Sequence, residues 1–283
     1  MNKMEKKLSN KIAVVTGAGG TLCSEMARNL AAQGAKIALL GRSLDKLKIT
    51  EKEILDKGGI AISISTDVTN EEQVEAARIK IIDAFGSCDI LVNGAGGNQP
   101  DAVTTLNEFN EEELNCIEGV RGFFNLNMKM FADVIKTNTM GTVIPCFVFG
   151  NDMARKKNGI IVNIASMNSY RPLSRVGAYS IAKAGIANFT QWLAVYLAPA
   201  NIRVNAIAPG FFLNDRSTKL LTTSDGGFTE RGASIIRQTP LKRFGKTSEL
   251  IGTLNYLIDD ELSGFMTGVT LPVDGGFLAD SGI

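Results

Sequence analysis

The stretch KIAVVTGAGGTLCSEMARNLAAQGA, residues 11–35, joins a short apolar run to a glycine-rich turn and an amphipathic segment. Its first seven residues, KIAVVTG, are mostly apolar and include β-branched side chains, which is typical of a strand that is buried on both faces, as in a parallel sheet. Glycines after such a strand let the backbone approach a pyrophosphate, whose charge is attracted by the N–H groups and dipole of the following helix. A glycine-rich turn alone also fits an ordinary tight connection, but its place after the first strand favours a nucleotide cofactor.

The same alternation of strand and helix continues along the chain. Apolar residues at three- and four-residue spacing predict helices at 23–33, 44–57, 71–85 and 248–258. No linker, repeat or low-complexity tract divides residues 1–283, so we predict a single α/β domain with a doubly wound, seven-stranded parallel sheet and helices on both faces. The predicted strands are KIAVVTG, KIALLG, IAISIST, CDILVN, GIIVNIAS, IRVNAIAPG and GVTLPVDGG.

Two connections are longer than simple crossovers require. They are residues 96–130 and 211–241. Ligands of doubly wound folds bind at the carboxyl ends of the strands, where extra chain length can cover them. We therefore expect the segment at about 211–241 to cover the substrate.

Composition excludes several classes of partner. Thirty Lys and Arg residues against 29 Asp and Glu give a formal charge of +1, which predicts neither a nucleic-acid nor a membrane partner. The charged start MNKMEKKLSNK lacks the apolar run of a secretory signal, so a cytoplasmic location is expected. The chain has no histidine, and its four cysteines are far apart, so we predict no metal site, no disulfide framework and reduced thiols at Cys23, Cys88, Cys116 and Cys146.

The stretch AYSIAKAG, residues 178–185, offers a proton donor in place of histidine. Tyr179 and Lys183 are four residues apart and share one helix face. A tyrosine pKa of about 10 must fall by roughly 3 units to work near neutral pH, which requires about 4 kcal/mol. An ammonium at about 4 Å supplies that much only in a sheltered site, at an effective dielectric near 20. The alternative is a packing tyrosine beside a solvated lysine.

Taken together, these motifs resemble the short-chain dehydrogenase/reductase family. Its T-G-x-x-x-G-x-G turn matches residues 16–23, its N-N-A-G matches residues 93–96, and its Y-x-x-x-K matches Tyr179 and Lys183. Ser166 lies thirteen residues before the tyrosine, and Asn138 lies on the preceding predicted helix. Four catalytic-type residues in the family's order favour an enzyme over a packing role. The resemblance covers essentially the whole chain and implies a Rossmann-type fold and a homotetramer.

The resemblance also implies a mechanism. A nicotinamide exchanges hydride with a ketone carbon while Tyr179 protonates the oxygen and Ser166 polarises it. Lys183 lowers the pKa of the tyrosine and holds the nicotinamide ribose, and Asn138 holds a water in a proton relay. The cofactor-binding residues implied are Thr16, Gly17, Gly19, Gly20, Thr21, Leu22, Arg42, Asp67, Val68, Asn93, Ala95, Gly96, Tyr179, Lys183, Pro209, Gly210 and Phe212.

The end of the second strand bears on the choice between the NAD(P) cofactors. Gly41 and Arg42 stand there, so no carboxylate is available for a ribose 2′-hydroxyl, whereas the guanidinium can pair with a 2′-phosphate. This favours NADP(H) over NAD(H). The alternative is an Arg42 that faces solvent.

The chain departs from the family pattern at four positions. Thr21 and Cys23 replace two glycines of the turn, which reduces backbone freedom where phosphate approaches. Gly94 replaces the second asparagine of N-N-A-G and so removes a side-chain contact. Asn214 stands where a threonine is usual and can still donate to a phosphate or carboxamide. We expect these changes to affect cofactor affinity and not the fold.

Four stretches resemble the branch of the family known as D-mannonate oxidoreductase or fructuronate reductase, which acts on sugar acids: NGAGGNQPDAVTT, SMNSYRPLSR, NAIAPGFFLNDR and RFGKTSELIG. Arg171 and Arg175 lie between Ser166 and Tyr179, and a planar guanidinium suits a carboxylate. The residues expected to bind substrate are Asn98, Gln99, Asn168, Arg171 and Arg175.

Two other interpretations stay open at this stage. A reductase of another polyol or of a 3-oxoacyl thioester would share every catalytic residue. A nucleotide-binding sensor or scaffold without turnover is favoured by the altered glycine turn, but the intact set of four catalytic-type residues argues against it.

Overall fold

Seven parallel strands form one sheet in the order β3-β2-β1-β4-β5-β6-β7. The structure is a computed structural model that describes residues 7–115, 117–213 and 215–280. The prediction of a seven-stranded parallel sheet is confirmed, and each predicted run contains its strand. The strands are β1 Ile12–Thr16, β2 Lys36–Gly41, β3 Ile60–Ser65, β4 Ile90–Asn93, β5 Gly159–Ile164, β6 Ile202–Pro209 and β7 Thr270–Val273.

Helices connect these strands. The predicted helices at 23–33, 44–57 and 71–85 match the first three within two residues. The one predicted at 248–258 begins later, because Thr247–Leu250 forms a 3-10 turn in which the Glu249 carboxylate accepts a hydrogen bond from the Lys246 N–H at 2.8 Å. The helices are α1 Thr21–Ala32, α2 Leu44–Asp56, α3 Glu71–Ala84, α4 Met128–Lys156, α5 Gly177–Leu197, α6 Asp215–Leu221, α7 Glu230–Gln238, α8 Ile251–Ile258 and α9 Asp260–Ser263.

The sheet is covered on both faces, which explains its continuous apolar strands. In β1, Ala13 and Val15 pack into a core built with α1, α2 and α8. Ile12 and Val14 point the other way, into a core built with α3, α4 and α5. Because side chains alternate along a strand, a strand between two cores must be apolar at every position.

The strand order reverses at β1, which pairs with both β2 and β4. Thr16 and Asn93 lie opposite one another at the carboxyl ends of β1 and β4. The Thr16 hydroxyl accepts hydrogen bonds from the N–H groups of Gly94 at 3.1 Å and Ala95 at 3.2 Å. The loop after β4 is thereby held beside the glycine-rich turn, at the place where doubly wound folds bind ligands.

The two long segments differ in regular structure. Residues 96–127 include two short 3-10 turns, Pro100–Ala102 and Glu111–Asn115, and the segment 211–241 contains α6 and α7. Within the described parts of the chain, no helix has the length and apolar character needed to cross a membrane. The same residues contain no group of three or more metal-ligating side chains.

Candidate active site

The glycine-rich turn has the shape and polarity that a pyrophosphate requires. Gly17 has φ +66°, and a Cβ there would lie 2.8 Å from the backbone of Ala95, so only glycine fits. Gly20 precedes α1 without any side-chain cap, and the first turn of α1 carries no acidic residue. The orphan N–H groups of α1 are therefore left to an anion, whereas Asn70 and Thr229 cap α3 and α7 with their side chains. These residues fit a dinucleotide cofactor.

Two of the departures from the family pattern compensate one another. Cys23 is 4% exposed, and its sulfur occupies the space beside Gly94, so a Cβ added at position 94 would overlap it. Cysteine at position 23 is therefore compatible with glycine at position 94 and excludes any larger residue there. Burial raises the pKa of the Cys23 thiol to about 12, against the nearby charge of Lys183, so this thiol is protonated and serves packing.

Of the other residues expected at the cofactor, Asn93 is turned into the core. Its amide donates to the Asn163 Oδ1 at 3.0 Å and to the Cys146 Sγ at 3.1 Å, which ties β4 to β5 and α4. Val68 is also buried. Both side chains therefore belong to the buried core and are not exposed to a ligand.

Asp67 and Arg42 lie close together beyond β3 and β2. Partial burial raises the pKa of Asp67, but hydrogen bonds from the N–H and hydroxyl of Thr69 and the charges of Arg42 and Lys136 outweigh it. The net pKa of Asp67 is thus below its usual value. Arg42 is exposed at the end of β2.

Ser166, Tyr179 and Lys183 come together at the carboxyl end of β5. The Ser166 hydroxyl, two residues beyond the strand, accepts a hydrogen bond from the Asn168 N–H at 3.2 Å and lies close enough to the Tyr179 hydroxyl to lower its pKa. The Lys183 Nζ lies 5.5 Å from the centroid of the Tyr179 ring. It donates to the Ile164 carbonyl at 2.7 Å and is 4% exposed. The lysine is therefore sheltered from water, which is the condition under which its charge can have a large effect on the tyrosine pKa.

The pKa values of the pair follow from burial. Burial raises the pKa of Tyr179, and the Ser166 hydrogen bond opposes this. Burial lowers the pKa of Lys183 to about 8, against the effect of Cys23. The sequence-based expectation was a tyrosine pKa lowered by the lysine. In the chain by itself burial raises that pKa instead, and Tyr179 is a protonated hydroxyl that can act as an acid.

Asn138 completes the group from α4. It is fully buried, its amide donates to the Gly97 carbonyl at 2.7 Å, and its Oδ1 accepts from the Gly97 N–H at 3.1 Å. A Cβ at Gly96 would overlap the Asn138 Oδ1 and would lie 3.7 Å from the Lys183 Nζ. Asn138 therefore positions the loop after β4 directly beside the lysine.

The segment expected to close over nicotinamide follows β6. Pro209 ends the strand, and the Gly210 N–H donates to the Val273 carbonyl at 2.9 Å. The Phe212 ring packs on Gly245, where a Cβ would overlap it. Asn214 lies outside the described residues, as does Cys116.

A cavity of about 300 Å³ includes Phe211 of this segment in its wall, and Ser166, Tyr179 and Lys183 are not among its lining residues. It is lined by the loop 173–175, by Phe211 and Phe277, by Asn107 and by one side of α7. Of the residues expected to bind substrate, Arg175 lines this cavity.

The other four substrate candidates have structural contacts. Arg171 donates to the Asp280 carbonyl at 3.0 Å, and the buried Asn168 accepts from the Leu173 N–H at 3.1 Å. The Asn98 Oδ1 accepts from the N–H of the exposed Gln99 at 3.0 Å. Asn168 thus shapes the loop that carries Arg175, and Arg171 fixes that loop to the C-terminal segment.

Sequence reasoning missed two residues. Asn163 is fully buried in β5. Its Oδ1 accepts a hydrogen bond from Asn93, and its amide N–H donates to the Thr190 hydroxyl at 2.9 Å. An asparagine within the otherwise apolar run GIIVNIAS was the available signal.

Arg231, the second residue that was missed, lines the cavity from α7. No local pattern marks it, because only the fold brings α7 next to Arg175.

Comparisons with known proteins agree with this geometry. Residues 11–225 match the family model described as short chain dehydrogenase. The chain is 46% identical over 283 residues to the uncharacterized oxidoreductase UxuB of Bacillus subtilis, covering 100% of both chains. It is 30% identical over 274 residues to a 3-oxoacyl-[acyl-carrier-protein] reductase of Synechocystis, covering 96% of this chain and 98% of that protein.

A solved structure is also similar. It is a candidate D-mannonate oxidoreductase from Haemophilus influenza with bound NAD, 45% identical to this chain, with a TM-score of 0.92 and 98% of each chain covered.

Proposed function

Because this chain belongs to the short-chain dehydrogenase/reductase family and is an NAD(P)-dependent oxidoreductase, we propose that it interconverts a ketone and a secondary alcohol on a sugar acid, D-fructuronate and D-mannonate. The observation that carries the proposal is the cavity lined by Arg175, which lies four residues before Tyr179 and nine after Ser166. A cationic side chain there suits a substrate with a carboxylate. The similar Haemophilus protein, described as a D-mannonate oxidoreductase candidate, supports the same substrate class.

The chain's own residues manage the proton on the substrate oxygen, while a bound nicotinamide supplies or accepts the hydride. Tyr179 is the acid in reduction, because burial keeps its hydroxyl protonated near neutral pH. Ser166, which lies close to that hydroxyl, can donate to the same substrate oxygen. Lys183, with a pKa of about 8, can hold or release a proton next to the ring. Asn138 and Gly97 keep the neighbouring loop in place.

The decisive experiment is steady-state kinetics on a panel of sugar acids with both nicotinamide cofactors. We expect kcat/KM for D-fructuronate to exceed that for the matching neutral ketose by at least about tenfold, the value of one charge-assisted hydrogen bond. A preference for neutral polyols or a 3-oxoacyl thioester would replace the sugar-acid assignment. Absence of turnover with every ketone tested would favour a nucleotide-binding sensor or scaffold.

For the cofactor, we propose that NADP(H) is preferred. The support is Arg42, exposed at the end of β2, where a carboxylate would be needed to bind a ribose 2′-hydroxyl. Arg42→Asp should lower the ratio of kcat/KM for NADP to that for NAD. Lys57→Asp, which reverses a charge at the far end of α2, is the control and should leave the ratio unchanged. An unchanged ratio in Arg42→Asp would show that Arg42 does not read the 2′-phosphate.

A further inference from the structure

Two arginines from separate segments line the cavity of about 300 Å³. Arg175 comes from the loop between Ser166 and Tyr179, and Arg231 is the second residue of α7. Phe211 and Phe277 contribute an apolar wall, with their rings edge to face at 5.4 Å. The remaining polar lining comes from Asn107, Ser174, Glu230, Ser234 and Gln238. A small polar ligand therefore meets two cations and several hydrogen-bonding groups against one apolar surface.

No ion pair with a described carboxylate neutralises either guanidinium. Among the side chains that the structure describes, no carboxylate lies within 4.0 Å of Arg175 or Arg231, although Glu230 lines the same cavity. Arg175 donates from its Nε to the Asn107 Oδ1 at 2.7 Å, which orients the guanidinium and leaves both of its NH₂ groups available. Its backbone lies in the left-handed region, at φ +72°. The loop thus holds this residue in a conformation that non-glycine residues seldom adopt.

The two cations repel each other in the absence of an anion. The pKa of the Arg231 guanidinium is lowered, first by its partial burial and then by the charge of Arg175. An anion placed between two guanidinium groups removes this repulsion and accepts hydrogen bonds from both planar forks. The cavity is therefore electrostatically prepared for a negative group.

We propose that Arg231 and Arg175 together bind the carboxylate of the substrate and make Arg231 a specificity-determining residue. The identity of that acid rests on the proposed function; the anion-binding role rests on the cavity. Arg171, which is held by the Asp280 carbonyl, lies outside the cavity lining and has no part in the recognition.

The test compares a sugar acid with the matching neutral ketose in three variants. Arg231→Ala and Arg175→Ala should each raise KM for D-fructuronate by about 10- to 100-fold and change KM for the neutral ketose by less than about threefold. Arg237→Ala is the matched control, because it removes the same charge from the same helix at a residue outside the cavity lining. This control should behave as the unmodified enzyme.

Calorimetric binding of D-mannonate to the cofactor-bound enzyme gives a readout that needs no turnover. If Arg231→Ala leaves acid binding and the acid-to-neutral ratio unchanged, the proposal is wrong while the sugar-acid function stands. If the unmodified enzyme turns over no sugar acid but binds one through Arg231, the function is wrong and the anion site stands. If the unmodified enzyme binds no sugar acid, both fail.

Discussion

At the scale of single residues, burial is the main influence on the pKa values of the candidate catalytic pair, Tyr179 and Lys183. It raises the pKa of Tyr179 and lowers the pKa of Lys183, so each group is pushed toward its neutral form. A neutral phenol beside a lysine with a pKa of about 8 is suited to moving a proton near neutral pH.

Tyr179→Phe tests the role of the hydroxyl. The variant keeps the ring and loses the proton donor, so kcat should fall by about 100-fold or more while the Kd for the cofactor stays within a fewfold. Stopped-flow kinetics and cofactor fluorescence measure the two quantities. Tyr256→Phe, on the remote helix α8, should leave both unchanged. Nearly unmodified turnover by Tyr179→Phe would rule out this tyrosine as the acid.

Cys23 and Gly94 provide the second residue-scale prediction. A side chain at position 94 would overlap the Cys23 sulfur, so Gly94→Asn should destabilise the chain by about 2 kcal/mol or more. Adding Cys23→Gly to that variant, which restores the family residues at both positions, should recover at least about 1 kcal/mol. Urea denaturation of both single variants and the double variant measures the coupling. The same cycle with Cys88→Ala is the control and should be additive; additivity for Cys23 would show that the overlap relaxes without cost.

At the scale of elements, Lys183 links a helix to the sheet. Its side chain extends from α5 to the Ile164 carbonyl, the last residue of β5, and carries a positive charge into a buried site. The reduced pKa shows that this charge opposes folding. The link between α5 and β5 thus lowers the stability of the fold, at the position where the proposed mechanism uses an amine.

Lys183→Met makes that cost measurable through pH. The folded pKa of about 8 lies below the usual 10.5, so between these values the unfolded chain binds more protons and stability rises with pH. Below about pH 8 the full penalty is present. The stability advantage of Lys183→Met over the unmodified protein should therefore shrink by about 2 kcal/mol between pH 7 and pH 9.5.

Urea denaturation of the cofactor-free proteins at the two pH values gives this difference. Packing changes caused by methionine cancel, because they are the same at both pH values. Lys57→Met, at an exposed lysine, is the control. A difference between Lys183→Met and the unmodified protein that does not vary with pH would contradict a depressed lysine pKa.

At the scale of the whole molecule, α4 and α5 present large apolar side chains to solvent. Trp192 and Tyr196 on α5 stack with ring centroids 5.3 Å apart, Tyr196 is 67% exposed, and Phe147 on α4 is 66% exposed. Exposed aromatic side chains of this kind are typical of protein interfaces. It is the surface we expect to be covered in the homotetramer that the family resemblance implies.

Analytical ultracentrifugation tests the homotetramer. The unmodified chain should sediment as a tetramer, and Val195→Glu, which places a charge on the exposed face of α5, should dissociate it. Ile49→Glu changes an exposed apolar residue on α2 and should leave the assembly intact. A monomer of the unmodified chain would show that the tetramer prediction is wrong.

Strand positions, their parallel arrangement and a set of candidate catalytic residues could all be predicted from the amino-acid sequence, because each rests on a local pattern. Strands buried on both faces are apolar throughout, and Tyr179 and Lys183 share a helix face at a spacing of four. Ser166 and Asn138 followed from motif order. The start of α8 was placed too early, because the 3-10 turn at Thr247–Leu250 depends on one side-chain contact.

Contacts between segments that are far apart in sequence could be identified only from the folded chain. Only the tertiary structure places the Cys23 sulfur against Gly94, turns Asn93 into the core, and separates Arg171 from Arg175 in their contacts. It also brings Arg231 to the cavity from a helix 56 residues beyond Arg175 in sequence. The physical reason is that packing, desolvation and charge repulsion act between groups that are near in space, and a linear pattern records only groups that are near along the chain.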